Sequence, residues 1–170
     1  EKTFMLATPL RYDFLSVVER SGINDLRYRY LRLLHGEREI GRANLFLSET
    51  DFSTFDTSLP TSAWQTIKRW YPEFMKFKVL ECGFFTMVGE ALAVAGEEWH
   101  ADALRALAAE MATAGVELGA DFHLIRDVPW TRYPAYRDVL RPLGFYPVHL
   151  FDGPAGCQHR ARVVWPLALR

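Results

Sequence analysis

Apolar and polar positions alternate along two neighbouring segments in the first third of the chain. In residues 26–34, Leu31 and Leu33 fall on one side, and tyrosines and an arginine fall on the other. Residues 39–48 resume the alternation after a turn at Gly36. A period of two is typical of a half-buried strand, and a glycine turn between two such runs predicts a β-hairpin.

Helical spacing predicts four helices, over residues 11–20, 61–70, 99–118 and 133–143. Serine, glycine or proline follows closely where each pattern stops, as expected at helix ends. The strongest of the four is 99–118, which is followed by Gly119. Its predicted buried face consists of Leu104, Leu107, Ala108, Met111 and Val116.

Further strands are predicted over residues 4–7, 77–88, 121–130, 145–151 and 159–169. Residues 77–88 are almost continuously apolar, which is typical of a central strand covered on both faces. Residues 89–98 are predicted to be a loop, or a strand end followed by a loop. The chain contains no repeat, low-complexity run or linker, so we predict one domain over residues 1–170.

Composition narrows the class of protein. The chain is 49% hydrophobic and 14% aromatic, which argues against disorder, and its net charge of -1 argues against a nucleic-acid partner. Cys82 and Cys157 lack metal-ligand spacing, so we predict no metal and a reducing, cytoplasmic location. No apolar run is long enough to predict a membrane span. We expect a monomer or a homodimer.

The order of predicted elements resembles the GNAT superfamily of acyl-CoA N-acyltransferases. Leu143, Gly144 and Phe145 look like the LGF element with which many members enter their penultimate strand. Residues 80–90 and 123–129 are also similar to the divergent peptidoglycan-biosynthesis-like branch, beside the Fem-type aminoacyltransferases. The resemblance implies an α/β fold with a mixed, mostly antiparallel central sheet, flanked by helices on both faces.

The resemblance also implies where acyl-CoA would bind. In this superfamily the central strand splays from its neighbour, the acyl group lies in the wedge, and the pyrophosphate lies on N–H groups that begin the long helix. The corresponding phosphate turn here is within residues 94–100. The implied contacts of acyl-CoA are Phe85, Thr86, Met87, Val88, Gly89, Gly96 and His100.

The chain departs from the superfamily at two places. The usual phosphate turn begins with arginine or glutamine and is rich in glycine, whereas this one carries Glu97 and Glu98 and no arginine. The frequent catalytic tyrosine lies four residues before the LGF glycine, where this chain has Leu140. Tyr136 lies one turn earlier and becomes the candidate for protonating the leaving group.

Acylation of an amine needs a base to take the proton of the ammonium group. Glu81 is the first candidate, since it lies inside an apolar strand; the alternative is that it points to a sheet edge or pairs with a strand arginine such as Arg42. Asp127 is the second, because ligands collect at strand ends. The alternative there is a salt bridge between Arg126 and Asp127.

His123 is a third catalytic candidate, although a lone strand histidine is more often structural. Arg126 and Trp130 are predicted to contact the acceptor substrate. An aromatic cluster around the helix at 61–70 is predicted mainly to pack, and would favour an apolar group if this helix capped the acceptor cleft. Its members are Trp64, Trp70, Tyr71, Phe74 and Phe77.

Three functions follow from these patterns. The first is an N-acyltransferase that moves an acyl group from acyl-CoA to the amine of a small molecule, such as an amino acid or a biosynthetic intermediate. The second is a Fem-like transferase that uses aminoacyl-tRNA or a carrier-protein thioester. The third is a catalytically inactive GNAT-fold binding module.

Overall fold

The computed structural model describes residues 12–22, 26–54, 61–85, 89–129, 131–148 and 160–166. The strand predicted at residues 4–7 lies outside this part of the chain. The helices are α1 Tyr12–Arg20, α2 Thr61–Trp70, α3 His100–Leu118 and α4 Tyr133–Leu140. The strands are β1 Arg27–His35, β2 Arg38–Asp51, β3 Lys76–Cys82, β4 Leu92–Val94, β5 Phe122–Pro129, β6 Tyr146–Val148 and β7 Arg160–Pro166.

The seven strands form one sheet in the order β1-β2-β3-β5-β7-β6, with β4 paired to β2. The pair β3–β5 is parallel, and the other pairs are antiparallel. A parallel pair needs a long crossover connection, which α3 supplies here. The fold class predicted from the sequence, a mixed and mostly antiparallel sheet, is confirmed.

Helices cover both faces of the sheet. On one face, the hydroxyl of Tyr30 donates to Glu19 of α1 at 3.1 Å. On the other, Arg29 forms a 2.7 Å ion pair with Glu117 of α3. Neighbouring strand residues point to opposite faces, so Tyr30 and Arg29 define what we call the α1 face and the α3 face.

The buried side of α3 matches the sequence prediction at four positions and differs at one. Four of its predicted core residues are fully or almost fully buried, but Val116 is 62% exposed. Five residues at about 100° each turn Val116 roughly 140° away from Met111. Gly115 lies against the sheet in its place, and α3 ends as predicted at Gly119, which has φ 67°.

The central strand β3 is shorter than predicted. It ends at Cys82 rather than at residue 88, and residues 83–85 leave the strand; residues 86–88 lie outside the described part. The side-chain amide of Asn44 donates to the carbonyl of Gly83 at 2.7 Å, which holds the chain where the strand ends. The interval 89–98, predicted as a loop or strand end, contains β4, which pairs with β2.

Helix α2 has no buried residue. Its Lys68 pairs with Asp51, which is opposite the first residue of β3. Trp70 and Tyr71 are 76% and 70% exposed, so the prediction that this aromatic cluster mainly packs is wrong for them. They line an open apolar groove of about 480 Å³. No helix of the described residues is long and apolar enough to span a bilayer.

Candidate active site

The parallel strands β3 and β5 stop pairing near their carboxyl ends. Their pairing runs from Val79 opposite Phe122 to Cys82 opposite Ile125 and stops there. Strand β5 continues to Pro129 along β7, with an irregularity in its register after Ile125. The resemblance implied a splayed pair at this place; in the structure β3 ends at Cys82, whereas β5 continues past it. We call the place beyond the end of β3, beside the last residues of β5, the gap.

A buried carboxylate lies beside the gap on the α1 face. Glu81 is 7% exposed, and it accepts a hydrogen bond from the Ser48 hydroxyl at 2.7 Å. Arg126 of β5 donates to its other oxygen at 3.1 Å. Arg42, which the sequence offered as a possible partner of Glu81, pairs with Glu39 instead. Glu81 and Arg126, a predicted base and a predicted substrate contact, therefore form one ion pair.

Asp127 has an uncommon backbone conformation at the end of β5. Its φ is 56°, and its side chain is 5% exposed. Aspartate tolerates this left-handed region better than most residues, and such conformations cluster at functional sites. The N–H of Gly89 lies 3.4 Å from Oδ2 of Asp127. Arg126 turns to Glu81, so the alternative of an Arg126–Asp127 salt bridge is not realised.

A second polar cluster joins the loop before β4 to the starts of α3 and α4. The hydroxyl of Tyr136 donates to Glu90 at 2.6 Å, and Arg132 donates to the other oxygen of Glu90 at 3.0 Å. The ring of His100 packs edge-on against Tyr136, with centroids 5.1 Å apart. Arg132 also lies 3.5 Å from Glu97.

Sequence reasoning missed Glu90 and Arg132. The signal that could have found Glu90 is its position as a lone carboxylate in the otherwise small and apolar stretch 89–96. Nothing in the sequence marks Arg132, because its role depends on where α4 begins relative to that loop.

Burial sets the proton affinities in this cluster. Burial, followed by the nearby Glu90 carboxylate, raises the pKa of Tyr136 well above its usual value, so the phenol keeps its proton. Burial and then Arg132 lower the pKa of His100, against the opposing effect of Glu90 and Glu97. Burial and then Glu90 raise the pKa of Cys82 to about 12, which leaves it a neutral thiol.

His123 lies away from the gap. It is 1% exposed, and its ring lies under α3, where a Cβ added to Gly115 would come within 1.9 Å of Nε2. Burial lowers its pKa, so the ring is kept neutral. Gly115 follows His100 by fifteen residues, which is about 22 Å along the helix axis. A catalytic role for His123 stays a prediction that this geometry does not support.

The predicted phosphate turn is a short 3-10 segment, Glu97–Trp99, that leads into α3. Gly96 precedes it in an extended conformation, and Glu98 folds so closely over it that an added Cβ would meet Oε2 at 2.4 Å. Nε2 of His100 is buried with no hydrogen-bond partner among the described residues. The side chain of Glu97 is largely exposed and lies at the helix start.

The remaining predicted acyl-CoA contacts are described only in part. Phe85 is 40% exposed, and its ring packs edge-on against Phe46 at 6.1 Å. Thr86, Met87, Val88 and Trp130 lie outside the described residues. The structure thus brings Glu81, Arg126, Asp127 and Gly89 to the gap, places Tyr136 and His100 in the neighbouring cluster, and leaves His123 in the core.

Comparison with known proteins gives relatives by sequence and by structure. No family model matches the chain. A protein named "Putative 8-amino-7-oxononanoate synthase 2" from two strains of Mycobacterium tuberculosis is 46% identical over 144 residues. The match covers 84% of this chain but 18% of the relative. The chain therefore spans less than a fifth of the length of these relatives.

Three solved structures resemble the chain, all at low sequence identity. FeeM, an N-acyl amino acid synthase from uncultured soil microbes, is 15% identical, with TM-score 0.46 over 92% of this chain and 74% of FeeM. An agmatine N-acetyltransferase is 16% identical, with TM-score 0.41 over 82% of this chain and 74% of its own. A polyamine N-acetyltransferase from Drosophila melanogaster is 14% identical, with TM-score 0.38 at the same coverages. The fold class, a mixed and mostly antiparallel α/β sheet, rests on the chain's own strand order.

Proposed function

We propose that the chain is an N-acyltransferase that moves an acyl group from acyl-CoA to the amine of a small molecule. The observation that carries the proposal is the gap, where β3 ends and β5 continues past it beside two buried carboxylates, Glu81 and Asp127. Ligands of open sheets collect at the carboxyl ends of strands. A thioester in this gap would present its carbonyl carbon next to groups that can take a proton.

The reaction requires a neutral amine. Glu81 would accept a proton from the substrate ammonium, directly or through one water. The amine nitrogen then attacks the thioester carbonyl carbon, so that a C–N bond forms while the C–S bond breaks. The departing thiolate takes up a proton, for which Tyr136 stays the candidate donor from the sequence; its buried hydroxyl is held by Glu90. Arg126 keeps the Glu81 carboxylate oriented beside the gap.

The two ends of acyl-CoA fit the chain unequally. The acyl thioester suits the gap, and the extended Gly96 and the unpartnered Nε2 of His100 offer a place at the start of α3. Glu97 and Glu98 oppose a pyrophosphate there, because they place negative charge at the same helix start. This observation favours, as a second candidate, a donor whose thioester is carried on a protein. The net charge of -1 argues against the third donor type, aminoacyl-tRNA.

A binding module without catalysis is the remaining alternative. The relative named for the synthesis of 8-amino-7-oxononanoate supports this alternative, because the match covers 18% of that relative's length. In that arrangement the chain would hold a substrate or a partner for a neighbouring catalytic unit.

Calorimetry with matched donors separates these proposals. The probes are acetyl-CoA, longer acyl-CoAs, and the corresponding acyl-pantetheines, which carry the thioester but lack the nucleotide. A CoA-dependent enzyme binds acyl-CoA at micromolar concentration and acyl-pantetheine more weakly. Equal binding of both favours a carrier-bound donor. If neither is bound or used as donor, the acyltransferase proposal is wrong.

A further inference from the structure

Helix α2 turns its apolar side to solvent. Trp70 and Tyr71 follow Ile67 by three and four residues, and the N–H of Tyr71 donates to the carbonyl of Ile67 at 2.8 Å. Residues at this spacing are neighbours on one side of a helix. A surface helix of a globular protein ordinarily packs such a side against the core. Here no residue of α2 is buried, so packing against the sheet does not account for the apolar side.

Phe74 extends this apolar side beyond the end of the helix. Its ring stacks on that of Trp64 with centroids 6.0 Å apart, which holds it beside α2. The open groove of about 480 Å³ is lined here by Thr66, Ile67, Trp70, Tyr71 and Phe74. We call the four apolar members of this lining, Ile67, Trp70, Tyr71 and Phe74, the α2 patch. Contiguous apolar patches on the surface of a folded domain mark sites of interaction with proteins or membranes.

The surroundings of the α2 patch are basic, although the net charge of the chain is -1. Arg69 is exposed next to Trp70 in the sequence. Lys76 and Lys78 lie on one face of β3, and Lys76 is opposite Asp51, which pairs with Lys68. Residues 61–78 contain four basic side chains and one carboxylate, which are Lys68, Arg69, Lys76, Lys78 and Glu73. With Asp51 included, this surface has a net charge of +2.

The residue types of this surface fit an anionic bilayer better than a protein. Tryptophan and tyrosine are enriched at the boundary between hydrocarbon and water, because part of each side chain is apolar and part forms hydrogen bonds. Lysine is depleted at the cores of protein–protein interfaces, whereas basic residues close to a membrane surface are attracted by anionic lipids. Exposed aromatic residues combined with lysines therefore favour lipid as the occupant.

We propose that the α2 patch docks the chain onto the surface of a bilayer that contains anionic lipids. The side chains of the patch enter the boundary between head groups and acyl chains, and the basic residues contact lipid phosphates. The helix lies in the plane of the surface and does not cross the bilayer. This inference goes beyond the proposed acyl transfer and does not rest on it. The patch lies next to the start of β3, whereas the gap lies beyond the end of that strand.

Sedimentation of the chain with vesicles tests the proposal. One set of vesicles consists of phosphatidylglycerol and phosphatidylcholine, and the other of phosphatidylcholine alone. We expect binding to the anionic vesicles to be at least about tenfold tighter, because each basic residue near an anionic surface contributes about fivefold. High salt should remove this preference by screening. No binding to anionic vesicles, or equal binding to both sets, overturns the proposal.

Variants of exposed side chains locate the contact. Trp70→Ala should weaken binding to anionic vesicles about tenfold, and Arg69→Gln about fivefold and at low salt only. Val116→Ala is the control, because it removes apolar surface from a residue that is 62% exposed on α3. If Trp70→Ala does not fold, Tyr71→Ala replaces it. Unchanged binding by the patch variant, or an equal loss in Val116→Ala, contradicts the assignment.

Brominated lipids distinguish insertion of the patch from adsorption by charge alone. They quench a tryptophan that enters the bilayer, so the quenching seen with the unaltered chain should largely disappear in Trp70→Phe, which keeps an aromatic ring. Bound protein without quenching contradicts insertion. A second copy of the chain is the alternative occupant. If the chain self-associates in analytical ultracentrifugation, loses this in Trp70→Ala and binds no vesicles, the patch is a protein interface and the proposal is wrong.

Discussion

Arg126 of β5 reaches across to Glu81 of β3 and binds its carboxylate at 3.1 Å, one residue before the two strands cease to pair. The ion pair crosses the parallel pair of strands beside the gap. Because the arginine side chain lies over Gly83, the chain needs a residue without a side chain at this position. The position of the proposed base therefore depends on a neighbouring arginine and a neighbouring glycine.

Replacing Glu81 by glutamine should lower kcat by about 10²–10⁴-fold, the usual contribution of a general base. Glutamine keeps the shape and one acceptor oxygen, so the domain should stay folded by circular dichroism. Asp127→Asn should lower kcat by a smaller factor. The matched control is Asp138→Asn, an exposed residue paired with Arg137. Wild-type rates in both site variants would remove the assignment of the base and leave the fold intact.

Gly83→Ala should displace Arg126 from Glu81, since the added Cβ would come within 2.8–3.3 Å of three arginine side-chain carbons. We expect a loss of about 1–3 kcal/mol in the free energy of unfolding, the usual range for overpacking. Gly89→Ala is the comparison variant, because its nearest contact would be a relaxed 3.9 Å from Phe84. Urea denaturation of both proteins measures the difference. Equal free energies of unfolding for the Gly83→Ala and Gly89→Ala variants would mean that Arg126 is not held over Gly83.

Gly115→Ala tests whether His123 is structural. The new Cβ would meet the His123 ring at 1.9 Å, so we expect destabilisation by at least about 1–3 kcal/mol. Adding His123→Ala removes the clash, and the double variant should be more stable than the sum of the single changes predicts. Thr113→Ala, on the exposed side of the same helix, is the control. An active double variant would exclude His123 from catalysis, whereas additive effects would contradict the packing.

The free energy of unfolding should fall as the pH drops below about 6.5. Burial lowers the pKa of His100 and of His123 below their usual 6.5, so the folded chain keeps both rings neutral while the unfolded chain takes up protons. Their stabilising contribution is complete above the unfolded pKa and is lost on acidification, by up to about 1.4 kcal/mol per pH unit for each ring. Urea denaturation from about pH 8 down to about pH 3 measures the slope.

The same pH series has an internal control. The hydrogen bond with Arg42 is the main cause that lowers the pKa of Glu39, and the hydrogen bond with Lys68 is the main cause that lowers the pKa of Asp51. Both carboxylates therefore affect stability mainly at pH values below those at which the two histidines titrate. His123→Gln should therefore flatten the curve between about pH 6.5 and pH 5 and leave the more acidic part unchanged. A stability that is constant or rises on acidification would contradict the neutral state of the two rings.

Tyr136→Phe removes the hydroxyl that donates to Glu90 at 2.6 Å. Arg132 still satisfies the other oxygen of Glu90, so we expect a moderate loss of stability of about 1–3 kcal/mol. If Tyr136 protonates the departing thiolate, kcat falls while KM for the amine stays unchanged. A change confined to stability would assign the tyrosine to positioning of the loop before β4.

Local patterns in the sequence were enough to predict most elements of the fold. The alternation around Gly36 predicted the β1–β2 hairpin, and the spacing of Leu104, Leu107 and Met111 predicted α3. The length of β3 was mispredicted because apolar residues continue after Cys82, whereas the strand end is fixed by a contact with Asn44, 39 residues earlier in the chain. Such a contact leaves no periodic trace in the sequence.

The candidate site was predictable only where a charged residue stands out from its neighbours in the sequence. Glu81 stands out as a charge in an apolar strand, and Asp127 as a charge at a strand end. The pairing of Glu81 with Arg126 rather than Arg42 depends on the parallel neighbour, which the sequence does not specify. Glu90 and Arg132 meet because α4 begins beside the loop before β4, a tertiary relationship beyond the reach of local patterns.

The central claim is that this chain transfers an acyl group from a thioester to the amine of a small molecule. Mass spectrometry of a reaction that contains the chain, an acyl-CoA series and a mixture of amino acids and simple amines tests it most directly. The account predicts an N-acylated product, formed together with one free thiol per product molecule and lost in Glu81→Gln. Absence of any acylated product with every CoA and pantetheine thioester, from a folded protein, would contradict the claim.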